Sequence, residues 1–174
     1  MYKGFKVKIY PNEEQKEKLF QFFGAYRFAY NWTISTEETN YKNGNKFLSK
    51  TQLTKLWKEY KKSIHWIKDM SGRSIRSGIF NAYDAYDRFF KGIAKHPKFK
   101  RRKDSYYSCG THEENTLIEK NRIKFEKLGW VKCHNNIPCT WSIHSDGRSK
   151  TDTTLCNPTL SYDGVDFWFS VAID

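Results

Sequence analysis

The chain has 174 residues, a formal net charge of +12 and an aromatic content of 17%. This length fits one domain or two small ones, and so basic a chain favours a polyanionic partner, because Lys and Arg displace condensed counterions from phosphates. No apolar run approaches the roughly 20 residues of a membrane span, and the first residues lack the apolar block of a signal peptide, so we expect a cytoplasmic protein without a membrane partner.

The charge is distributed unevenly along the sequence. Residues 1–103 contain 24 Lys and Arg against nine Asp and Glu, whereas residues 104–174 contain seven against ten. We therefore expect contact with a polyanion mainly in the first part of the chain.

The first element is predicted to be a strand over residues 3–10, because apolar and basic residues alternate there. Its two faces are Phe5, Val7 and Ile9 on one side, and Lys6 and Lys8 on the other. Pro11 ends the strand. Asn12, followed by acidic residues and Gln15, predicts a capped helix that runs to about Thr39.

Two further helices are predicted over about 50–64 and about 72–91, the second ended by Gly92. Their apolar stripes are Leu53, Leu56, Trp57, Tyr60 and Ile64 in the first, and Ile75, Ile79, Tyr83, Tyr86, Phe89 and Phe90 in the second.

From about residue 104 the pattern changes to short strands, over 121–125, 129–132, 138–143, 150–156 and 165–173, with a hairpin turn at Asp163-Gly164. One strand before a helical block and several after it predict an α+β fold. We expect a small oligonucleotide-binding-like β-barrel with a helical domain inserted after its first strand.

The four cysteines, Cys109, Cys133, Cys139 and Cys156, form no C-x-x-C pair and match no common zinc spacing. Although His112, His134 and His144 could complete a site in space, we expect free thiols and no metal. No catalytic motif and no clustered carboxylates are present, so we expect no catalytic residues and no cofactor in this chain.

The strongest candidate for nucleic-acid contact is the basic segment at residues 95–103, in which Pro97 prevents a helix. Its cations can follow a phosphate backbone, and the residues after it add hydroxyl groups and stacking rings. The candidates are Lys98, Phe99, Lys100, Arg101, Arg102, Lys103, Ser105, Tyr106 and Tyr107. The alternative is a solvated, disordered linker.

Two helical sets and the first strand add weaker candidates. Arg73, Arg76 and Ser77 lie three and four apart near the start of the third helix, where they can contact base edges in a major groove or be ordinary surface residues. Arg27 and Asn31 lie on the first helix, where Asn31 is unusual by propensity but can also bond within the fold. Lys6 and Lys8 are candidates on the first strand.

Several segments together resemble the TnpB (OrfB) family of transposon-encoded RNA-guided nucleases, relatives of type V CRISPR effectors. They are residues 2–12, 23–31, 89–92, 97–106 and 128–132, in the order and spacing of that family. In the family the usual residues at Arg73, Arg76 and Ser77 are Gln or similar polar residues, so a different base preference is implied here.

The resemblance implies a wedge barrel built from residues 1–11 and 95–174, and a helical recognition domain at 12–94. It implies binding of a guide RNA and of double-stranded DNA beside the target, with the nuclease domain outside this chain, so that the chain itself is not an enzyme. Asp174 lacks the family's D-x-G continuation and is not assigned as catalytic. The alternative is a helix-turn-helix DNA-binding regulator that uses no guide RNA.

Overall fold

The computed structural model describes residues 1–134, 137–138, 141–143, 149–151 and 154–174, which form an α+β fold. The helices are α1 (Glu13–Lys42), α2 (Lys50–Tyr60) and α3 (Gly72–Phe90), with 3-10 turns at Lys61–Ser63 and Trp66–Asp69. The strands among these residues are β1 (Lys3–Tyr10), β2 (Tyr107–Gly110), β3 (Leu117–Glu119), β4 (Arg122–Phe125), β5 (Gly129–Cys133), β6 (Trp141–Ile143), β7 (Ser149–Thr151), β8 (Leu155–Tyr162) and β9 (Phe167–Ile173).

The chain divides into two compact units, one formed by residues 1–21 and 105–174 and the other by residues 22–104. We call them the sheet unit and the helical unit. The division predicted from sequence, 1–11 with 95–174 and 12–94 between them, stays a prediction. No helix among the described residues has the length and apolar content to span a membrane.

Seven antiparallel strands form the sheet unit's main sheet, in the order β2-β8-β9-β1-β5-β4-β3. β6 and β7 pair separately as a small hairpin. β2 and β3 were not predicted from sequence. The predicted strands at 138–143 and 150–156 lie partly outside the described residues; β6, β7 and the start of β8 are the parts that the structure describes.

The predicted alternation is confirmed in β9, where every second side chain is buried, and in β1, where Val7 and Ile9 are buried and Phe5 is half-buried. The buried faces curl towards each other. The rings of Phe125 on β4 and Phe169 on β9 have centroids 5.2 Å apart, although two strands separate β4 from β9 and a flat sheet would hold them roughly 14 Å apart. The curl agrees with part of a barrel, but the described sheet is open, with β2 and β3 at its edges, and closure stays a prediction.

The predicted start of α1 is confirmed as a capping box. Asn12 Oδ1 accepts from the backbone N–H of Gln15 at 2.9 Å, and Gln15 Oε1 accepts from that of Asn12 at 3.0 Å. Two of the N–H groups that a helix start leaves without internal partners are thereby satisfied. The Gln15 amide also donates to the carbonyl of Trp130 at 2.8 Å, which fixes the start of α1 against β5.

The prediction for α2 is partly wrong. Leu53 and Trp57 are buried, but Leu56 and Tyr60 are 45% and 41% exposed. The helix ends at Tyr60, and a 3-10 turn begins at Lys61. Within the helix, Leu53 and Trp57 are the buried residues of the predicted apolar stripe. Tyr60 instead stacks on Phe28 at the surface, with ring planes 9° apart.

The helical unit is built around a close approach of α3 to α1 at Gly78. A Cβ atom at this position would lie 2.5 Å from the carbonyl oxygen of Tyr26 and 3.2 Å from the backbone nitrogen of Tyr30. Such distances leave no room for a side chain, so the two helices pack backbone against backbone there.

We expect Gly78→Ala to destabilise the chain by about 1–3 kcal/mol, because the added methyl group overpacks the contact between α1 and α3. Gly24→Ala is the matched control. A Cβ there meets only the Arg27 side chain at 3.9 Å, so the higher helix propensity of Ala should raise stability by up to about 1 kcal/mol. Urea unfolding of both variants measures the difference, and equal stabilities would contradict the steric argument.

Glu37 is a buried carboxyl group, only 3% exposed, near the end of α1. Its two oxygens accept from the backbone N–H of Leu48 at 3.2 and 3.3 Å, which attaches the segment before α2 to α1. Burial raises the pKa of Glu37 to about 7, against the opposing effect of the Leu48 hydrogen bond. The neutral acid is therefore the form that the fold favours.

Because the pKa of Glu37 is higher in the folded chain, its contribution to stability is present below pH 4.5 and is lost as the pH rises to about 7. In wild type we expect the free energy of unfolding to fall by up to about 3 kcal/mol over this range. In Glu37→Gln this fall should be absent. The neighbouring Glu38→Gln is the control, since it removes the same charge. Denaturant unfolding at pH 4.5 and pH 7.5 makes the test, and identical pH profiles for wild type and Glu37→Gln would refute it.

Candidate nucleic-acid interface

The net positive charge of the chain lies in the helical unit. Residues 22–104 carry 19 Lys and Arg against seven Asp and Glu, a balance of +12, whereas the sheet unit carries 12 against 12. A long-range attraction for a polyanion therefore comes from the helical unit. Because the sheet unit has no net charge, binding of a polyanion to it depends on where its individual cations lie on the surface.

The basic segment is held against α1 by Asn31. The Asn31 side chain donates to the carbonyl of Lys100 at 2.9 Å and accepts from its backbone N–H at 2.8 Å. Both polar groups of one amide side chain thus bond one residue of a segment that contains no helix or strand. A freely solvated linker would lack this attachment.

Lys100 also rests on the aromatic surface of α1. Its ammonium nitrogen lies 4.8 Å from the ring centroid of Tyr30 and 5.9 Å from that of Tyr26. This cation therefore contributes to attaching the segment as well as to its charge.

Phe99 and the other cations of the segment face solvent. Phe99 is 49% exposed, and Lys98, Arg101, Arg102 and Lys103 are exposed as well. Asp104 Oδ2 accepts from the backbone N–H of Arg101 at 2.9 Å, which, with the Arg101 charge, lowers the pKa of Asp104. The segment therefore presents cations and one ring on a backbone fixed at Lys100 and turned at Asp104.

The three candidates on α3 differ in availability. Arg76 is exposed, and its guanidinium carbon lies 5.0 Å from the ring centroid of Phe80. Ser77 is half-buried and donates its hydroxyl to the carbonyl of Ser74 at 2.7 Å. Arg73, like Arg27 on α1, is half-buried and engaged with other groups of the chain. Arg76 is the candidate of α3 that is best placed for an external ligand.

The two cations on β1 face outward, as predicted, but they are not equivalent. Lys8 forms an ion pair with Asp166 at 2.8 Å, and this hydrogen bond raises the pKa of Lys8. Lys6 lies with its ammonium nitrogen 4.8 Å from the ring centroid of Trp168. Its charge is placed over an aromatic face and not against a carboxylate.

Three candidates follow the basic segment in the sheet unit. Ser105 and Tyr106 are exposed, Tyr106 by 57%. Tyr107 begins β2 and stacks on Tyr162 of β8, with centroids 6.1 Å and planes 15° apart. Its ring therefore contributes to the packing of the edge strand.

The outer face of the sheet also carries cations and a ring that the sequence analysis did not single out. Arg122 pairs across the strands with Lys132, and Lys124 with Trp130. The guanidinium carbon of Arg122 lies 4.4 Å from a ring centroid of Trp130, and its nitrogen is paired with Glu119. The alternation of residues within β4 and β5 could have indicated these side chains from sequence. That they share one face of the sheet follows from the pairing of the two strands, which the sequence did not predict.

The cysteines of the described part are free thiols, Cys109 and Cys133 buried and Cys156 half-buried. Cys139 and His144 lie outside the described residues. Where the structure describes the chain, no three or more His, Cys, Asp or Glu side chains gather as a metal site.

Comparison with known proteins shows which proteins this basic α+β chain is similar to. A family model described as a helix-turn-helix domain, of the OrfB/IS605 type, matches residues 1–46, which here form β1, α1 and the following turn. Two curated relatives are each 26% identical to the chain: "Putative RNA-guided DNA endonuclease InsQ" of Escherichia coli (strain K12), over 94% of this chain, and "Putative RNA-guided DNA endonuclease" of Streptomyces pristinaespiralis, over 62%.

These matches support the resemblance to the TnpB (OrfB) family that the sequence predicts. The matched regions make up 44% and 27% of the two relatives, so the chain spans less than half the length of the curated relatives it matches.

Asn31→Ala tests the attachment of the basic segment. Losing both hydrogen bonds to Lys100 should cost about 1 kcal/mol and free the segment. We expect trypsin to cleave within residues 98–103 several-fold faster than in wild type, with the rest of the chain intact. Asn31→Asp, which keeps the acceptor and loses the donor, should give an intermediate rate. Cleavage of Asn31→Ala at the wild-type rate would show that the segment is held by other contacts.

Proposed function

We propose that this chain is the nucleic-acid-binding part of a TnpB-like RNA-guided DNA endonuclease, and that it binds a guide RNA and the duplex beside the DNA target. The observation that carries the proposal is the attachment of the basic segment to α1 through Asn31. It holds exposed cations in a fixed place within the unit that carries the net charge of the chain. The names of the relatives support RNA and DNA as the partners.

In this proposal the segment contacts the phosphate backbone and α3 contacts bases. Lys98, Arg102 and Lys103 neutralise phosphates, which gives affinity and position without sequence information. Arg76, held by Phe80, is suited to a bidentate contact with guanine in a major groove. Base preference would then depend mainly on Arg76, because the Ser77 hydroxyl already bonds the helix backbone.

The sheet unit is proposed to act as the wedge domain of the family. The curl that brings Phe125 against Phe169 supports an oligonucleotide-binding-like barrel. In this proposal the described residues bind and position nucleic acid, and other parts of the full-length protein cleave it.

A guide-free DNA-binding regulator is the second candidate. The description of the matching family model as a helix-turn-helix domain favours it. The two functions predict different ligands: a regulator binds duplex DNA with sequence preference by itself, whereas a recognition part binds structured RNA tightly and gains duplex affinity when the guide is present.

The experiment that tests the proposal measures binding of the purified chain to structured RNA, duplex DNA and single-stranded DNA over a salt series. Each phosphate contact contributes about −0.9 to the slope of log K against log salt on duplex DNA. We expect the Lys98→Ala, Arg102→Ala, Lys103→Ala triple variant to bind duplex less tightly, with a slope shallower by roughly 2–3.

A second triple variant, Lys42→Ala, Lys46→Ala, Lys55→Ala, is the control, because it removes three exposed charges elsewhere in the same unit. It should change the slope much less than the first. Equal effects of the two variants would mean that net charge, and not the basic segment, determines binding. Lack of binding at low salt to all three ligands would refute the proposed function.

A further inference from the structure

A tryptophan on the outer face of the sheet is held in a fixed orientation. Trp168 of β9 faces away from the core, beside Lys8 of β1 in the strand register. Its indole N–H donates to Asp163 Oδ2 at 2.8 Å. An outward-facing indole on a strand gains no core packing, yet this one is fixed by a specific hydrogen bond.

The carboxylate that holds Trp168 is itself fixed by the hairpin turn between β8 and β9. Asp163 Oδ1 accepts from the backbone N–H groups of Val165 and Asp166 at 2.9 and 2.8 Å. With the bond from Trp168, these donors lower the pKa of Asp163 to about 2. Asp163 therefore stays ionised through the neutral range, and the ring is kept in place before any ligand arrives.

A depression of about 380 Å³ lies further along β1 and β9, where its lining includes Lys6 and Ser170, the latter two positions after Trp168 in β9. Small residues paired across β1 and β9, Gly4 with Ala172, form its floor, and Ser170, paired with Lys6, provides a hydroxyl group. Asn157 lines the opposite side. It lies at an irregularity of β8, with a φ of 51°, in the left-handed region that favours glycine. Such bulges redirect a side chain out of the regular strand pattern.

Lys6 connects the ring with the depression. It lines the depression, and its ammonium nitrogen lies 4.8 Å from the ring centroid of Trp168. The Lys6 side chain is exposed and flexible, so it can leave the ring for a phosphate while an aromatic base takes its place on the indole. Lys6 is therefore shared by the ring, which it covers, and the depression, which it lines.

We propose that this outer face of β1 and β9 is a binding site for an unpaired stretch of RNA. One base stacks on Trp168, the adjoining phosphate pairs with Lys6, and the ribose lies over Gly4 and Ala172. A stacked ring of this kind selects single strands, because the bases of a duplex are already stacked on each other. Ser170 and Asn157 offer hydrogen-bond partners for a 2′-hydroxyl group, which favours RNA over DNA.

The inference rests on the proposed function in so far as RNA is a partner of the chain, but it names a site apart from the basic segment. The surrounding charges support it. Although the sheet unit has no net charge, its outward-facing strand residues include five cations, Lys6, Lys8, Arg122, Lys124 and Lys132. Two of them are paired with acids, Lys8 with Asp166 and Arg122 with Glu119.

The experiment measures binding of short labelled oligo(U) and oligo(dT) to the whole chain by fluorescence anisotropy at low salt. We expect Trp168→Ala to weaken oligo(U) binding roughly 5- to 100-fold, the range for one lost stacking contact. Trp168→Phe should recover most of the affinity, because it keeps an aromatic face. Tyr41→Ala is the control, because Tyr41 is 82% exposed and belongs to the helical unit, so this variant should bind as wild type does.

Lys6→Glu provides a second test that leaves Trp168 in place. It should weaken oligo(U) binding and make the remaining binding less sensitive to salt, which a purely structural role of Lys6 would not do. Thermal unfolding and near-ultraviolet circular dichroism establish that each variant is folded.

The outcomes separate this inference from the proposed function. If folded Trp168→Ala and Lys6→Glu bind oligo(U) as wild type does, while the basic-segment variant loses duplex affinity, the sheet site is wrong and the proposed function stands. The assignment to RNA is overturned if wild type binds oligo(U) and oligo(dT) with equal affinity and Trp168→Ala weakens the binding of both equally. Lack of binding of wild type to any nucleic acid overturns both.

Discussion

The helical unit depends on a steric constraint at Gly78, where α3 lies directly on the backbone of α1. One turn further along α3, Asn81 donates to the hydroxyl group of Tyr26 at 2.9 Å. Tyr26 stacks on Tyr30, and both rings lie under the ammonium group of Lys100. The surface that receives the basic segment is thus continuous with the contact at Gly78, so the packing of two helices determines where the proposed phosphate-binding cations lie.

Local patterns predicted those elements whose stabilising groups are close in sequence. The strand β1 follows from alternation, the start of α1 from Asn12 and Gln15, and the turn before β9 from Asp163-Gly164. β2 and β3 have four and three residues, too few for a periodic signal, and they form because other strands pair with them. The surface position of Tyr60 was likewise beyond prediction, because it depends on Phe28 of another helix.

The candidate site could be predicted in composition but not in arrangement. Residue types identified the basic segment, yet the partner that fixes it, Asn31, lies 69 positions away from Lys100. Sequence also placed the boundary of the basic region near residue 103. The folded units divide the charge differently, because the first 21 residues join the sheet unit and leave it with no net charge.

This division of charge has a consequence for recognition. The helical unit, with its balance of +12, can attract any polyanion at a distance, and that attraction weakens as salt screens it. A neutral unit has no such general attraction, so selectivity there has to come from short-range contacts: an indole fixed by Asp163, a cation that can leave the ring, and a depression with polar edges. Stacking persists at salt concentrations that screen phosphate contacts, because it does not depend on net charge. The two proposals therefore give the units different tasks, general capture of nucleic acid for the helical unit and discrimination of unpaired RNA for the sheet unit.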